Sequence, residues 1–151
     1  MSDTVFHKGF VDFKGDIDFN YISDLLDGGQ YESQFASDWN DKFVLKSVFK
    51  IRNIETHGDW RPLYDYCQEN FNKSKKPSNL FMFFSLKSGG VSTTHRDDED
   101  VYIIGVKGKT WYKVGNKEYM VEKGDLLKIP ANTIHTGIGL TPRIIISYGV
   151  Y

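Results

Sequence analysis

The 151-residue sequence predicts a single domain that is mainly β, a sandwich or a barrel, with a few helices near the N-terminus. Aromatic residues make up 15% of the chain, and aromatic side chains favour strands. From residue 80 onward, short apolar runs alternate with glycine-containing turns about every 8 to 12 residues. Residues 1–79 mix helical and strand patterns, so we expect N-terminal helices and added strands around a core formed by residues 80–151.

Two helices and one strand are predicted in the first half of the chain. Asp18–Leu26 has apolar residues at helical spacing, and the pair Gly28-Gly29 follows it, as is typical of a helix C-terminus. Pro62 suits the first turn of a second helix that ends near Phe71. Phe43–Ile51 is β-branched and partly alternating, which indicates a strand. The inner side of the second helix is predicted to carry Leu63, Tyr66, Cys67 and Phe71.

The second half is predicted to consist of strands. Leu80–Leu86 is too short and too aromatic for a helix, and we interpret it as a buried strand. Lys107-Gly108 and Gly115-Asn116 are each predicted to close a hairpin. Gly124-Asp125 is a turn before another short strand, and Arg143–Tyr151 is predicted to be the last strand.

Composition excludes several classes of protein. The formal net charge of −1 provides no general attraction for nucleic acid or an anionic membrane. The single cysteine, Cys67, excludes an intramolecular disulfide and a cysteine-based zinc site. No apolar run suggests a signal peptide or a membrane span. We therefore expect a cytoplasmic protein, a monomer or a homodimer.

One histidine and four acidic residues occupy the six positions from His95 to Asp100. His95 and Asp97 are two residues apart, which places both side chains on one face of a strand. Among the other histidines, His135 lies near the end of a strand that would cross a barrel. Two imidazoles and one carboxylate form the facial triad that suits Fe(II). The pattern predicts a metal site at His95, Asp97 and His135, and the alternative is a solvated turn without metal.

Residues 80–150 resemble the cupins. The first cupin motif is matched by Gly89, His95-x-Asp97 and Gly108, and the second by Gly124-Asp125, Pro130, Asn132 and His135. Asn132 stands where the second motif usually has glycine. Metal-binding cupins usually carry a second histidine and a glutamate where this sequence has Asp97 and Val101, which favours the three-ligand, oxygenase-type branch. The resemblance implies a double-stranded β-helix.

Within that branch, "HRDDEDVY" and "GKTWYKV" are similar to the JmjC-type 2-oxoglutarate oxygenases. By that resemblance Lys109 binds the distal carboxylate of 2-oxoglutarate, and Ser92 hydrogen-bonds the same carboxylate. Prolyl-hydroxylase-like oxygenases instead use an arginine at about the position of Arg143, and Ser147 follows four residues later. Both anchors are candidates, and the JmjC similarity favours Lys109.

The resemblance implies an enzyme, an Fe(II)- and 2-oxoglutarate-dependent oxygenase that uses dioxygen. Its expected substrate is a polypeptide or a small molecule, which it would hydroxylate. Two alternatives stay open: a cupin with other metal chemistry, such as a cofactor-independent dioxygenase or an isomerase, and a metal-free binding module.

Overall fold

The computed structural model of the protein describes residues 3–13, 17–27, 31–33, 48–86 and 94–151. Within these ranges lie ten strands, two α-helices and a short 3-10 turn at Ile54–Thr56. The helices are α1 (Phe19–Asp27) and α2 (Arg61–Phe71). The strands are β1 (Val5–His7), β2 (Tyr31–Ser33), β3 (Val48–Ile51), β4 (Ser78–Ser85), β5 (Val101–Lys107), β6 (Thr110–Val114), β7 (Lys117–Val121), β8 (Leu126–Ile129), β9 (His135–Gly139) and β10 (Arg143–Val150).

The strands form two antiparallel sheets. The large sheet has the order β1-β8-β5-β10-β4-β3-β2, and the small sheet has the order β7-β6-β9. Strand β10 lies between β5 and β4, with Ile146 opposite Ile104 on one side and Met82 on the other. Two sheets of this kind facing each other make the double-stranded β-helix, so the predicted fold class is confirmed.

Strand β10 separates two hydrophobic cores, because its side chains alternate between the two faces of the large sheet. Ile144, Ile146 and Tyr148 face the helices and join the core that contains Cys67 of α2. Ile145 faces the small sheet and joins the core inside the barrel. Each fully buried side chain of this size contributes about 1.5–3 kcal/mol, so both faces of β10 stabilise the fold.

The two predicted helices are present. Helix α1 begins where the carboxylate of Asp18 accepts a hydrogen bond from the amide of Tyr21 at 2.9 Å, an N-terminal cap. The expected C-terminal glycines, Gly28-Gly29, lie outside the described residues. No helix in the described part of the chain has the length and apolar character needed to cross a bilayer.

The predicted inner side of α2 is wrong at Tyr66, which is 44% exposed. The buried stripe runs through Cys67, one helical turn on from Leu63. Residues on a helix turn by about 100° each, so Tyr66 is rotated away from that stripe. Tyr64 packs inward instead, edge-on to Tyr148 with ring centroids 6.1 Å apart.

The predicted hairpin at Lys107-Gly108 is also wrong. Strand β5 pairs with β8 and β10 in the large sheet, whereas β6 pairs with β7 and β9 in the small sheet. Gly108 therefore carries the chain from one sheet to the other, with a left-handed φ of 72°. The hairpin predicted at Gly115-Asn116 is present between β6 and β7.

The strands predicted at the ends of the core are present with small changes of boundary. Leu80–Leu86 corresponds to β4, and Arg143–Tyr151 corresponds to β10. Of the predicted strand Phe43–Ile51, the structure has β3, and residues 43–47 lie outside the described residues.

Gly105 allows the large sheet to close against the turn that precedes β8. Its amide donates to the carbonyl of Asp125 at 2.9 Å, and its carbonyl accepts from the amide of Gly124 at 2.8 Å. A Cβ at position 105 would lie 2.0 Å from the carbonyl oxygen of Glu122, a backbone atom. A side chain at this position would therefore force the strand and the turn apart.

We expect Gly105→Ala to lower the free energy of unfolding by about 1–3 kcal/mol or more, the usual cost of overpacking. Urea denaturation followed by circular dichroism measures this change. Gly58→Ala is the matched control, because a Cβ there meets nothing within 4 Å. An unchanged unfolding midpoint in Gly105→Ala would contradict the close approach seen at this position.

Candidate functional site

His95 and His135 are joined through their backbones. The amide of His95 donates to the carbonyl of His135 at 3.1 Å, and the amide of His135 donates to the carbonyl of His95 at 3.0 Å. This isolated antiparallel bridge brings together residues that are forty positions apart in the sequence. The two imidazole centroids are consequently 4.3 Å apart.

Asp97 completes the cluster that the sequence predicts. Its two carboxylate oxygens lie 3.3 Å from Nε2 of His135 and 3.7 Å from Nε2 of His95. One donor atom from each of the three residues lies within 4.8 Å of the other two. His135 is only 5% exposed, whereas His95 is 41% and Asp97 32% exposed, so the cluster has one buried side and one open side.

The ring of His135 is oriented by the backbone of the loop that precedes β9. Its Nδ1 lies 2.9 Å from the carbonyl oxygen of Thr133. A carbonyl oxygen can only accept, so Nδ1 carries the proton in this hydrogen bond. The Nε2 atom then faces Asp97: when protonated it donates a hydrogen bond to that carboxylate, and when deprotonated it offers its lone pair to a metal ion.

The loop before β9 holds the two motifs in register. The amide of Asn132 donates to the carbonyl of Asp97 at 2.7 Å. Asn132 has a left-handed φ of 60°, a conformation that asparagine tolerates better than most residues. Asparagine therefore fulfils the backbone requirement at the position where the cupin motif usually has glycine.

Asp100 fastens the same loop from the other side. Its carboxylate accepts a hydrogen bond from the amide of Ala131 at 2.9 Å and lies 3.3 Å from the ammonium of Lys128. Asp100 therefore positions the loop that leads to His135.

The charges of the cluster are coupled. The hydrogen bond to His135 lowers the pKa of Asp97, and burial opposes this only in part. For His135, burial disfavours the imidazolium, but the bonds to Asp97 and to the Thr133 carbonyl outweigh burial and raise its pKa. The carboxylate thus stays ionised and attracts a cation, either a proton on His135 or a metal ion.

The cluster borders a cavity of about 260 Å³ inside the barrel. Strands β3, β4, β5 and β10 of the large sheet line one wall, and β6 and β9 of the small sheet line the other. Val101, which occupies the usual cupin glutamate position, lines this cavity and offers no ligand atom. The cavity is therefore continuous with the open side of the histidine and aspartate cluster.

Arg143 is buried in the same cavity, with only 5% of its surface exposed. Its Nε donates to the hydroxyl of Ser85 at 2.9 Å. Burial raises the pKa of the Tyr112 hydroxyl, and a hydrogen bond with Arg143 acts in the opposite direction. Ser85 and Tyr112 therefore hold a guanidinium at one end of the cavity.

Two glycines of β9 make room for these side chains. A Cβ at Gly137 would lie 2.6 Å from the ring of Tyr112, and a Cβ at Gly139 would lie 3.0 Å from Nε of Arg143. His135, Gly137 and Gly139 are every second residue of β9 and therefore lie on one face of the strand. The spacing H-x-G-x-G is the sequence signal that, in hindsight, marks this wall of the cavity.

The remaining predicted residues differ in position. Ser147 lines the cavity. Lys109 is exposed in the connection between β5 and β6, where its amide donates to the hydroxyl of Thr141 at 2.9 Å, and it is not among the residues that line the cavity. Ser92 lies outside the described residues.

Sequence reasoning missed Lys50 of β3. This half-buried residue lines the cavity, and its ammonium lies 4.2 Å from the ring centroid of Phe81. Burial lowers the pKa of Lys50, and the charge of Asp97 opposes that effect. The strand was predicted, but only the antiparallel pairing of β3 with β4 turns Lys50 towards the barrel interior.

The fold resembles that of a known oxygenase. YcfD, a ribosomal oxygenase from Escherichia coli, superposes in its complex with cobalt and succinic acid with a TM-score of 0.78 and 22% sequence identity, over 98% of this chain and 48% of that chain. Its complex with cobalt and 2-oxoglutarate superposes with a TM-score of 0.73 and 21% sequence identity. That match covers 99% of this chain and 48% of the YcfD chain. This chain therefore spans about half the length of YcfD, and at these identities the likeness establishes the fold.

The comparison of sequences points the same way. A search of curated proteins finds no match. Residues 82–143 match the family model of the cupin domain. That segment runs from β4 to the first residue of β10 and includes all three members of the histidine and aspartate cluster. Residues 82–143, less than half of the chain, thus resemble the cupin domain, and the cupin fold inferred from the two motifs is confirmed.

Proposed function

We propose that the protein is an Fe(II)- and 2-oxoglutarate-dependent oxygenase that hydroxylates its substrate. One observation carries this proposal: the donor atoms of His95, Asp97 and His135 converge within 4.8 Å beside a cavity whose other end holds the buried Arg143. The cluster suits a cation and the guanidinium suits a carboxylate. Such an enzyme needs a site for Fe(II), which is a cation, and a site for 2-oxoglutarate, which carries carboxylates.

The three side chains fit a divalent metal ion by their chemistry. Two imidazoles and one carboxylate on one side of an ion leave positions free for other ligands and suit non-haem Fe(II). His135 presents Nε2 because Nδ1 is engaged with Thr133. When bound, iron with 2-oxoglutarate and dioxygen supplies oxidation of the cosubstrate to succinate and carbon dioxide, with transfer of one oxygen atom to a C–H bond.

Arg143 is the residue that we assign to the distal carboxylate of 2-oxoglutarate. A planar guanidinium binds a carboxylate through two parallel hydrogen bonds, and burial strengthens that pairing. Ser85 and Tyr112 fix its orientation, and Ser147, further along the same strand, also lines the cavity. The exposure of Lys109 argues against the JmjC-type anchor that the sequence favours.

The substrate is proposed to be a polypeptide or a small molecule. YcfD has been crystallised with cobalt and 2-oxoglutarate and is named a ribosomal oxygenase, which supports the cosubstrate and a polypeptide substrate. The size of the cavity, about 260 Å³, limits what can enter beside 2-oxoglutarate to a small group. A cytoplasmic location is part of this proposal, since the ribosome is cytoplasmic in bacteria.

We expect His95→Ala and His135→Ala each to lower the affinity for Co(II) by more than about 100-fold. Removal of a group that only hydrogen-bonds a metal ligand costs roughly 10- to 100-fold, and removal of the ligand itself should cost more. Co(II) substitutes for Fe(II) in air, and its visible absorption together with calorimetry reports binding. His7→Ala is the control, because His7 is exposed in β1 and is not part of the cluster. Undiminished metal binding by both folded variants would show that other residues hold the metal, and no metal binding by the native protein would favour a metal-free binding module.

The affinity for Co(II) should fall as the pH is lowered, because the metal competes with a proton for His135. The pKa of His135 is raised above the ordinary 6.5, so its imidazole is neutral only above that raised value. Asp97, with its lowered pKa, stays ionised throughout. Titrations between about pH 8 and pH 6 should show the loss of affinity beginning above pH 6.5. A flat profile over this range would contradict the coupling of His135 to Asp97.

We expect Arg143→Met to raise the dissociation constant for 2-oxoglutarate several-hundred-fold or more. Breaking a buried charge pair costs about 3–5 kcal/mol, at about 1.4 kcal/mol per decade. Lys109→Met is the matched control and should change it by less than about fivefold, since an exposed charge contributes about 0–1 kcal/mol. Calorimetry on Co(II)-loaded protein measures both.

Retention of Co(II) by both variants shows that the metal site is intact. The reverse ranking would assign the anchor to Lys109, and no effect from either substitution would remove 2-oxoglutarate from the proposal. Succinate release with Fe(II) and no added substrate provides the corresponding test of activity.

A further inference from the structure

Lys50 is a second cation in the cavity, and the proposed chemistry does not use it. It projects from β3 over the aromatic rings of β4, with Nζ 4.2 Å from the centroid of Phe81 and 5.7 Å from that of Phe83. Among the described residues, no carboxylate forms an ion pair with its ammonium. Burial lowers the pKa of Lys50, which indicates an ammonium that has lost water without gaining a full partner.

The charge of Asp97 acts on Lys50, but the Asp97 carboxylate is oriented towards the two histidines. Its two oxygens lie 3.3 Å and 3.7 Å from the two histidines. A metal ion held by this cluster would use the same oxygens, so the negative charge of Asp97 would be neutralised by the metal. Lys50 then remains without an anion inside the barrel.

Among the described residues, the cavity lining carries two cations, Arg143 and Lys50, and two carboxylates, Asp97 and Glu99. A divalent metal with Asp97 leaves one positive charge, and Arg143 and Lys50 add two more. The two carboxylates of 2-oxoglutarate offset two of these three. The positive charge that remains has Glu99 alone to offset it within that lining.

Glu99 does not supply the missing charge. No ion pair joins Glu99 to Lys50 among the described residues, and the charge that acts on Lys50 is that of Asp97. The pKa of Glu99 is raised by burial and by the neighbouring charges of Asp97 and Asp98, so it belongs to the acidic side of the cavity mouth.

We propose that Lys50 binds the carboxylate of the substrate, and that the substrate is a small carboxylic acid with an apolar body. This inference rests on the proposed oxygenase function. The apolar body would lie against Phe81, Phe83 and Val48, which line the cavity around Lys50. Its carboxylate at Lys50 would fix which C–H bond lies nearest to the cluster of His95, Asp97 and His135.

Benzoate and benzamide are suitable probes, because they share an apolar ring and differ in the carboxylate. Zinc-loaded protein with 2-oxoglutarate bound is inert and diamagnetic, and its lysines can be observed by NMR after isotopic labelling. We expect benzoate to shift the Lys50 resonance in a saturable way, with a dissociation constant at least tenfold below that of benzamide.

Three variants test the assignment to Lys50. Lys50→Met should weaken benzoate binding at least tenfold and remove the preference over benzamide, whereas Lys50→Arg should retain the preference. Lys113→Met is the matched control, since Lys113 is exposed on β6 and does not line the cavity, and it should bind benzoate as the native protein does.

Absence of saturable benzoate binding by the native protein would overturn the inference, as would benzoate binding that survives in Lys50→Met. A tenfold weaker affinity for 2-oxoglutarate in Lys50→Met would also overturn it, by assigning Lys50 to the cosubstrate. Failure of the oxygenase function appears separately, as loss of 2-oxoglutarate binding or succinate release in the native protein. In that case, titration of benzoate into zinc-loaded protein without 2-oxoglutarate still tests whether Lys50 binds a carboxylate.

Discussion

The pair of backbone hydrogen bonds between His95 and His135 is the constraint on which the site depends. These bonds place two imidazoles, from motifs forty residues apart, with centroids 4.3 Å from each other. Asn132 adds a third backbone bond, to Asp97, and Asp100 holds the loop between them. Main-chain bonds of this kind do not depend on side-chain rotamers, so they hold together the three backbone positions from which the donors project.

The alternation of side chains across two facing sheets creates the rest of the cavity. Along β10, every second residue packs against the helices, and those between face the barrel, among them Arg143 and Ser147. Along β9, glycines take the corresponding positions after His135 and leave space for Tyr112 and Arg143. The glycines of β9 thus leave the space that the side chains of Tyr112 and Arg143 occupy, and the guanidinium of Arg143 lies buried in the cavity lining.

Three features of the fold could not be predicted from the sequence, each for an identifiable physical reason. Gly108 was expected to close a hairpin, because a glycine that interrupts an apolar run resembles a tight turn, but the chain there crosses between sheets. The similarity of "GKTWYKV" to JmjC enzymes favours Lys109 as the anchor, and that assignment stays a prediction; the exposure of its side chain supports Arg143 in its place. Lys50 carried no signal at all, since a lysine in an edge-like strand usually faces water. In each case the missing information was which sheet, or which face of a sheet, a residue belongs to.

The sequence by itself determined the β architecture and the three members of the histidine and aspartate cluster. Glycine spacing, aromatic content and the His-x-Asp pair are local patterns, and local patterns can be recognised without coordinates. Only the tertiary structure decided which cations face the cavity and how its charges balance. A strand presents alternate residues to opposite faces, and the pairing of β3, β4 and β10 settles which face becomes the inside of the barrel. That pairing is made between residues far apart in the chain, so no short stretch of sequence contains it.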